Sequence, residues 1–169
     1  QGISVISAKN LLIENCKLVG TWGTPPEAGI DFEPNSESEM LTGILMKNCF
    51  ISLNRGAGIL MYLKQLKKGS LPIDIKVERC YIKGGEDFGI AIGEIGEDGV
   101  LGKILVKDTV IENAKNGGIF IFDKSSEGAL VEFQNCTVIN SPPKRNGYPV
   151  KVYQFKSGGV KSLGGVNFG

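Results

Sequence analysis

The sequence predicts an all-β parallel solenoid of about five to six coils, with three short strands in each coil. Three observations lead there. A Gly–apolar–any–apolar tetrad recurs along the chain. A second apolar segment, ending in a turn residue and a Cys or Thr, recurs between the tetrads. Side chains alternate with period two in these segments, and no stretch sustains a helical period.

The tetrads are "GISV" from Gly2, "GIDF" from Gly29, "GILM" from Gly58, "GIAI" from Gly89 and "GIFI" from Gly118, with "PVKV" from Pro149 as a sixth member. They recur at intervals of about 27 to 31 residues, the range in which self-similarity marks stacked units. Each tetrad supplies the first strand of a coil. Its inward positions form two columns: Ile3, Ile30, Ile59, Ile90, Ile119 and Val150, then Val5, Phe32, Met61, Ile92, Ile121 and Val152.

The second and third strands come from "LLIENCKL" (11–18), "ILMKNCFI" (44–51), "IKVERCYI" (75–82), "ILVKDTVI" (104–111) and "VEFQNCTV" (131–138). Their inward columns are Leu11, Ile44, Ile75, Ile104 and Val131; Ile13, Met46, Val77, Val106 and Phe133; and Leu18, Ile51, Ile82, Ile111 and Val138. Large or β-branched apolar residues suit a stacked, close-packed interior. One coil cannot bury its apolar side alone, and stacked coils can.

Between the second and third strands sit Asn15, Asn48, Arg79, Asp108 and Asn135. Asn and Asp tolerate the left-handed backbone that a sharp corner needs, and Arg79 is the exception in type. Cys16, Cys49, Cys80 and Cys136 follow that corner, with Thr109 in the fourth coil. The chain has no C-x-x-C pair, and Thr109 fits a rule for small buried side chains rather than a rule for ligands. Residues 1–155 are expected to form the solenoid, and the Gly-rich stretch 156–169 a tail or a partial last coil. Bare strand edges at the ends invite association through uncapped coils. With no basic, long-apolar leader at the start and no caps, the chain reads as a fragment of a longer protein.

Composition narrows the chemistry. Nineteen Lys and Arg against 18 Asp and Glu leave a net charge of +1, which gives no electrostatic case for nucleic acid or an anionic membrane. No apolar run is long enough to insert in a membrane. There is no His, so Ser-His-Asp and Cys-His systems and His-ligated metals are excluded.

The recurring "G-I-x-[apolar]" and "[N/R/D]-[C/T]-x-[I/L/V]" segments, over Gly2 to about Val152, resemble the right-handed parallel β-helix superfamily. That group includes pectate-lyase-like enzymes, β-helical glycoside hydrolases and phage tailspikes. The "AGIDFEPN" stretch (28–35) is similar to one in carbohydrate-related bacterial members. The resemblance implies a right-handed coil, a secreted or cell-surface location and a polysaccharide or oligosaccharide as partner. The paired Asp, Gly-His-Gly and Arg-x-Lys of polygalacturonases are absent here. So are the Trp-Ile-Asp-His and Arg-x-Pro-x-x-Arg stretches of pectate lyases, and neither catalytic set carries over.

Residues between the inward positions of the first strand point outward. One outward column holds Ser4, Asp31, Leu60, Ala91, Phe120 and Lys151, and the next holds Ile6, Glu33, Tyr62, Gly93, Phe122 and Tyr153. Aromatic rings offer flat apolar platforms to sugar rings, and carboxylates hydrogen-bond hydroxyls. Tyr62, Phe120, Phe122 and Tyr153, flanked by Lys64 and Lys151, are therefore the candidate substrate-binding residues.

Asp31 and Glu33 leave one strand on the same side, about 6.5–7 Å apart at Cα. This is compatible with the acid and base of an inverting glycosidase. Glu94 and Asp123, on neighbouring coils, are the second candidate catalytic pair, nearer the retaining separation of about 5 Å. Asp31 and Glu33, with Glu37 and Glu39 nearby, also form a candidate Ca²⁺ site, since Ca²⁺ takes oxygen ligands. The expected function is hydrolysis of glycosidic bonds by a carboxylate pair. The alternatives are a glycan-binding or adhesive solenoid without catalysis, or a Ca²⁺-dependent polysaccharide lyase.

Overall fold

The computed structural model describes residues 2–141, 148–155 and 160–169. It is a parallel β-solenoid with three long sheets and, among the described residues, no helix. Sheet one stacks Ile3–Val5, Ile30–Phe32, Ile59–Tyr62, Phe88–Ile95, Gly117–Lys124 and Val150–Tyr153. Sheet two stacks Leu12–Glu14, Ile44–Lys47, Ile73–Glu78, Gly102–Lys107, Leu130–Gln134 and Val166–Phe168. Sheet three stacks Lys17–Val19, Phe50–Ser52, Tyr81–Lys83, Val110–Glu112 and Thr137–Ile139. A short pair, Ala8–Lys9 with Leu41–Thr42, stands between sheets one and two in the first coils.

The register matches the columns read from the sequence. Ile3 lies beside Ile30, Ile30 beside Ile59, Ile59 beside Ile90, Ile90 beside Ile119 and Ile119 beside Val150. Ile44, Ile75, Ile104 and Val131 align in sheet two, and Leu18, Ile51, Ile82, Ile111 and Val138 in sheet three. Most inward side chains are fully buried, each contributing about 1.5–3 kcal/mol of transfer free energy. The last rung departs from this pattern. Val152 is 43 % exposed, because among the described residues no further first strand stacks on it. The stretch after the sixth first strand adds one more strand, Val166–Phe168, beside Leu130–Gln134. Residues 156–159 lie outside the described residues.

The structure gives the recurrent glycine a reason. A methyl group added at Gly29, Gly58, Gly89 or Gly118 would stand 2.3–2.7 Å from a methyl of Ile51, Ile82, Ile111 or Val138. Sheet three packs its inward column directly onto these backbones, so no side chain fits. The corner residues Asn15, Asn48, Arg79, Asp108 and Asn135 all take positive φ, between 49° and 56°. Arg79 adopts the same corner, and its Nε donates to Asn48 Oδ1 at 3.1 Å.

The Cys/Thr column is explained by one recurring contact. Each side chain donates to the carbonyl two residues earlier: Cys16 to Glu14, Cys49 to Lys47, Cys80 to Glu78, Thr109 to Lys107 and Cys136 to Gln134. The corner needs a small donor, which thiol and hydroxyl both supply. The four cysteines are free thiols. Burial pushes the Cys80 thiol up to about 11, so it stays protonated and unreactive.

Candidate functional site

The outer face of sheet one carries the candidate residues. Successive strands stand about 4.8 Å apart. The register places Gly93 beside both Tyr62 and Phe122, and Phe122 beside Tyr153. Phe32 lies beside Met61, so Glu33 follows on the same column next to Tyr62. Gly93 leaves a gap in this column. A methyl there would stand 2.6 Å from the Phe122 ring, which means that the ring lies down over the glycine. That tilt brings Phe122 to 6.4 Å from Tyr62, centroid to centroid, although a whole rung separates them.

Around Phe122 the aromatic groups form one cluster. Phe120 stacks on Phe122 at 5.1 Å and on Phe88 at 4.5 Å. Phe155 sets its edge against Phe120, Phe122 and Tyr153. Lys151 Nζ sits 4.4 Å from the Tyr153 ring centroid and 5.5 Å from that of Phe120. Tyr153 and Phe155 remain 40 % and 43 % exposed, while Tyr62, Phe88, Phe120 and Phe122 are half-buried. The cluster is a surface platform with its top open to solvent.

Phe88 and Phe155 were not among the residues singled out from the sequence. Phe88 opens its strand ahead of the tetrad, and Phe155 lies beyond the last first strand. Neither occupies a repeated outward position.

The carboxylates divide by environment. Asp31 is completely buried, and Ser4 Oγ donates to its Oδ2 at 3.1 Å. It lies on the outer side as expected but is sealed from bulk water. Glu33 is half-buried. Desolvation, and then the Asp31 charge beside it, raises its pKa above the ordinary carboxylate value. The two side chains therefore form one electrostatic unit, with Glu33 as the member that solvent reaches.

Glu94 and Asp123 occupy neighbouring positions at the ends of their strands, both with positive φ. They face different surroundings. Lys64 Nζ lies 3.9 Å from Glu94 Oε2, a partly exposed ion pair of small energetic weight. Asp123 is buried and accepts the Phe155 backbone N–H on Oδ1 at 2.8 Å. It anchors the segment that carries Phe155 and is closed off from solvent.

The acidic stretch after Asp31 folds on itself. The Glu39 carboxylate accepts the backbone N–H groups of Asn35 and Ser36, which closes a turn. Among the described residues, no group of three or more Asp, Glu, Cys or His side chains is placed to hold a metal ion. Of the four candidate Ca²⁺ ligands, Asp31 is buried and Glu39 Oε2 is taken up by its turn.

Residues 1–163 match a family model described as a right-handed beta helix region. Neither a curated protein nor a solved structure matches the chain.

Proposed function

The chain belongs to the right-handed β-helix family, and on that premise we propose that it is a carbohydrate-active protein that lays an extended glycan across the outer face of sheet one. One observation carries this: Glu33, Tyr62, Phe122 and Tyr153 share a single outward column, with Phe122 laid flat over Gly93. Flat rings offer successive sugars an apolar surface, and their positive edges and neighbouring polar groups suit hydroxyls. Lys151, already held over two of the rings, supplies a donor at the open end of the track.

A second reading, glycosidic hydrolysis, is favoured by the raised pKa of Glu33. A carboxyl with a raised pKa beside a sugar-binding track suits a general acid protonating the leaving oxygen. In that reading desolvation, and then the Asp31 charge, favour the protonated form of Glu33. Sealed as it is, Asp31 has no room for the attacking water.

The test is a glycan array, followed by product analysis on any glycan bound. Tyr153→Ala is expected to weaken binding about tenfold or more, the equivalent of one lost stacking platform. Glu33→Gln is expected to keep binding and, if hydrolysis is the activity, to abolish product. A lyase would announce itself by an unsaturated, ultraviolet-absorbing product. A blank array, or full binding in Tyr153→Ala, would remove the proposal.

A further inference from the structure

We propose that a second site, a cavity at the corner between sheets three and one, binds a single neutral sugar ring between Trp22 and Leu53. It lies on a different corner from the aromatic face and does not rest on the reading of that face. The cavity has a volume of about 410 Å³, within the range of small-ligand sites.

The corner itself supplies the first observation. Residues leaving sheet three stack in register as Gly20, Leu53, Gly84, Asn113 and Asn140, linked by backbone bonds such as Leu53 N–H to Lys83 O at 3.3 Å. All five take positive φ. Gly and Asn are the residues that adopt this conformation at low cost. Leu53 does so at φ 55°, and its side chain is 62 % exposed, so burial offsets little of the strain. A bulky residue held in a costly conformation, facing a cavity, marks a position kept for something other than stability.

Trp22 is the second observation. It is 72 % exposed at the cavity rim, yet the loop that carries it is fixed. Thr21 N–H donates to the buried Asn54 Oδ1 at 2.9 Å, and Gly23 N–H donates to Glu27 Oε1 at 3.0 Å. Glu27 in turn pairs with Arg55 at 3.3 Å. An indole on a braced loop presents its face with little entropy left to lose on binding.

The chemistry of the remaining wall selects the ligand. Gly84 and Gly85 leave bare backbone next to Leu53, so a ring can approach closely. Glu86 and Lys115 form an ion pair with each other, and Asn113 stands beside them. Their charges cancel, which disfavours an anion or a cation. What remains is a set of donors and acceptors that shares the cavity with two apolar surfaces. That combination matches a pyranose, with its C–H face on the Trp22 indole and Leu53 and its hydroxyls on the amide and charged groups.

Trp22 is the only tryptophan in the chain, so its fluorescence reports on this cavity alone. The full chain is titrated with methyl glucoside, galactoside, mannoside and xyloside and with their neutral oligomers. At least one should change the emission saturably. Leu53→Asn should weaken that response about tenfold or more, and should raise the unfolding midpoint by relieving the strain. Tyr153→Ala, on the other face, should leave the Trp22 response unchanged. The proposal is overturned if no neutral sugar gives a saturable response, if an apolar dye binds here and sugars do not, or if Leu53→Asn binds as well as the parent chain. It is equally overturned if Leu53→Asn lowers stability, because Leu53 would then be structural.

Discussion

Gly89→Ala tests the packing argument on which the coil repeat depends. The added methyl would stand 2.3 Å from Ile111 Cγ2 and 2.8 Å from the carbonyl oxygen of Gly118. Carbon atoms prefer separations of about 3.5–4.0 Å, so Ile111 or the strand must move by about 1 Å or more. Ile111 is fully buried between Ile82 and Val138 in its column and has nowhere to yield. Overpacking of this kind costs about 1–3 kcal/mol. Against it stands the smaller entropy of an alanine in the unfolded chain, about 0.4–1 kcal/mol.

The net expectation for Gly89→Ala is a loss of about 1–2 kcal/mol. For a chain of this size that lowers the midpoint by about 2–8 °C. Gly96→Ala is the control, since a methyl at Gly96 meets nothing within 4 Å and its φ is not positive. That variant should be neutral or slightly more stable. Urea unfolding of both variants, and of Gly89→Ala in an Ile111→Ala background, separates the terms. In that background the penalty should shrink by about 0.5 kcal/mol or more, the signature of direct contact. Equal stability of Gly89→Ala and Gly96→Ala would refute the reasoning, because the glycine column would then have no steric origin.

Three further outcomes follow from single groups. Thr109→Val removes the donor to Lys107 O and the acceptor of the Cys80 N–H, and should cost about 1–2 kcal/mol by urea unfolding, whereas Thr109→Cys should fall within about 1 kcal/mol of the parent. The native pKa of Glu33 lies above its unfolded value near 4.5, so the native state binds more protons and loses stability as pH rises through that interval. Glu33→Gln should therefore gain on the parent between pH 4 and pH 7, read from thermal midpoints at both. Lys124 is fully buried, which lowers its pKa to about 8 from 10.5. The unfolded state binds more protons between those values, so the parent should become more stable as pH rises from about 8 towards 10.5. Lys124→Met should lack that increment when unfolding is compared at pH 7.5 and pH 10.

The interior was legible because it is periodic. Each inward column repeats a residue type once per coil, and the in-register stack turns that repeat into contact. The departures were legible only as positions: Thr109 stands in the small-residue column and Arg79 in the corner column, and the structure adds that Thr109 keeps the donor of Cys80 and Cys136 and Arg79 the backbone of Asn48. The outer face had only its register in the sequence. Alternation places Asp31 and Glu33 on one side, but it says nothing of burial, and Asp31 is sealed while Glu33 is not. Phe155 reaches Phe120, Phe122 and Tyr153 from beyond the last strand of sheet one, and the buried Asp123 accepts its backbone N–H. Such contacts belong to single segments, and no column records them.

A repeat read only for its agreements therefore yields the fold and misses the places where a coil departs from it. The corner after sheet three shows this. Its members Gly20, Leu53, Gly84, Asn113 and Asn140 align only once the register of sheet three is known, and four of the five suit a left-handed backbone. Leu53 is the one that does not, and it lines one cavity together with the chain's only tryptophan. In a solenoid every coil offers the same low-cost solution to the same backbone problem. A coil that declines it, with an exposed apolar residue and no compensating burial, points to a demand from outside the fold. The two readouts of Leu53→Asn decide whether that demand exists: a gain in stability together with a loss of the sugar response places the reason for Leu53 in a ligand, and a loss of stability returns it to packing.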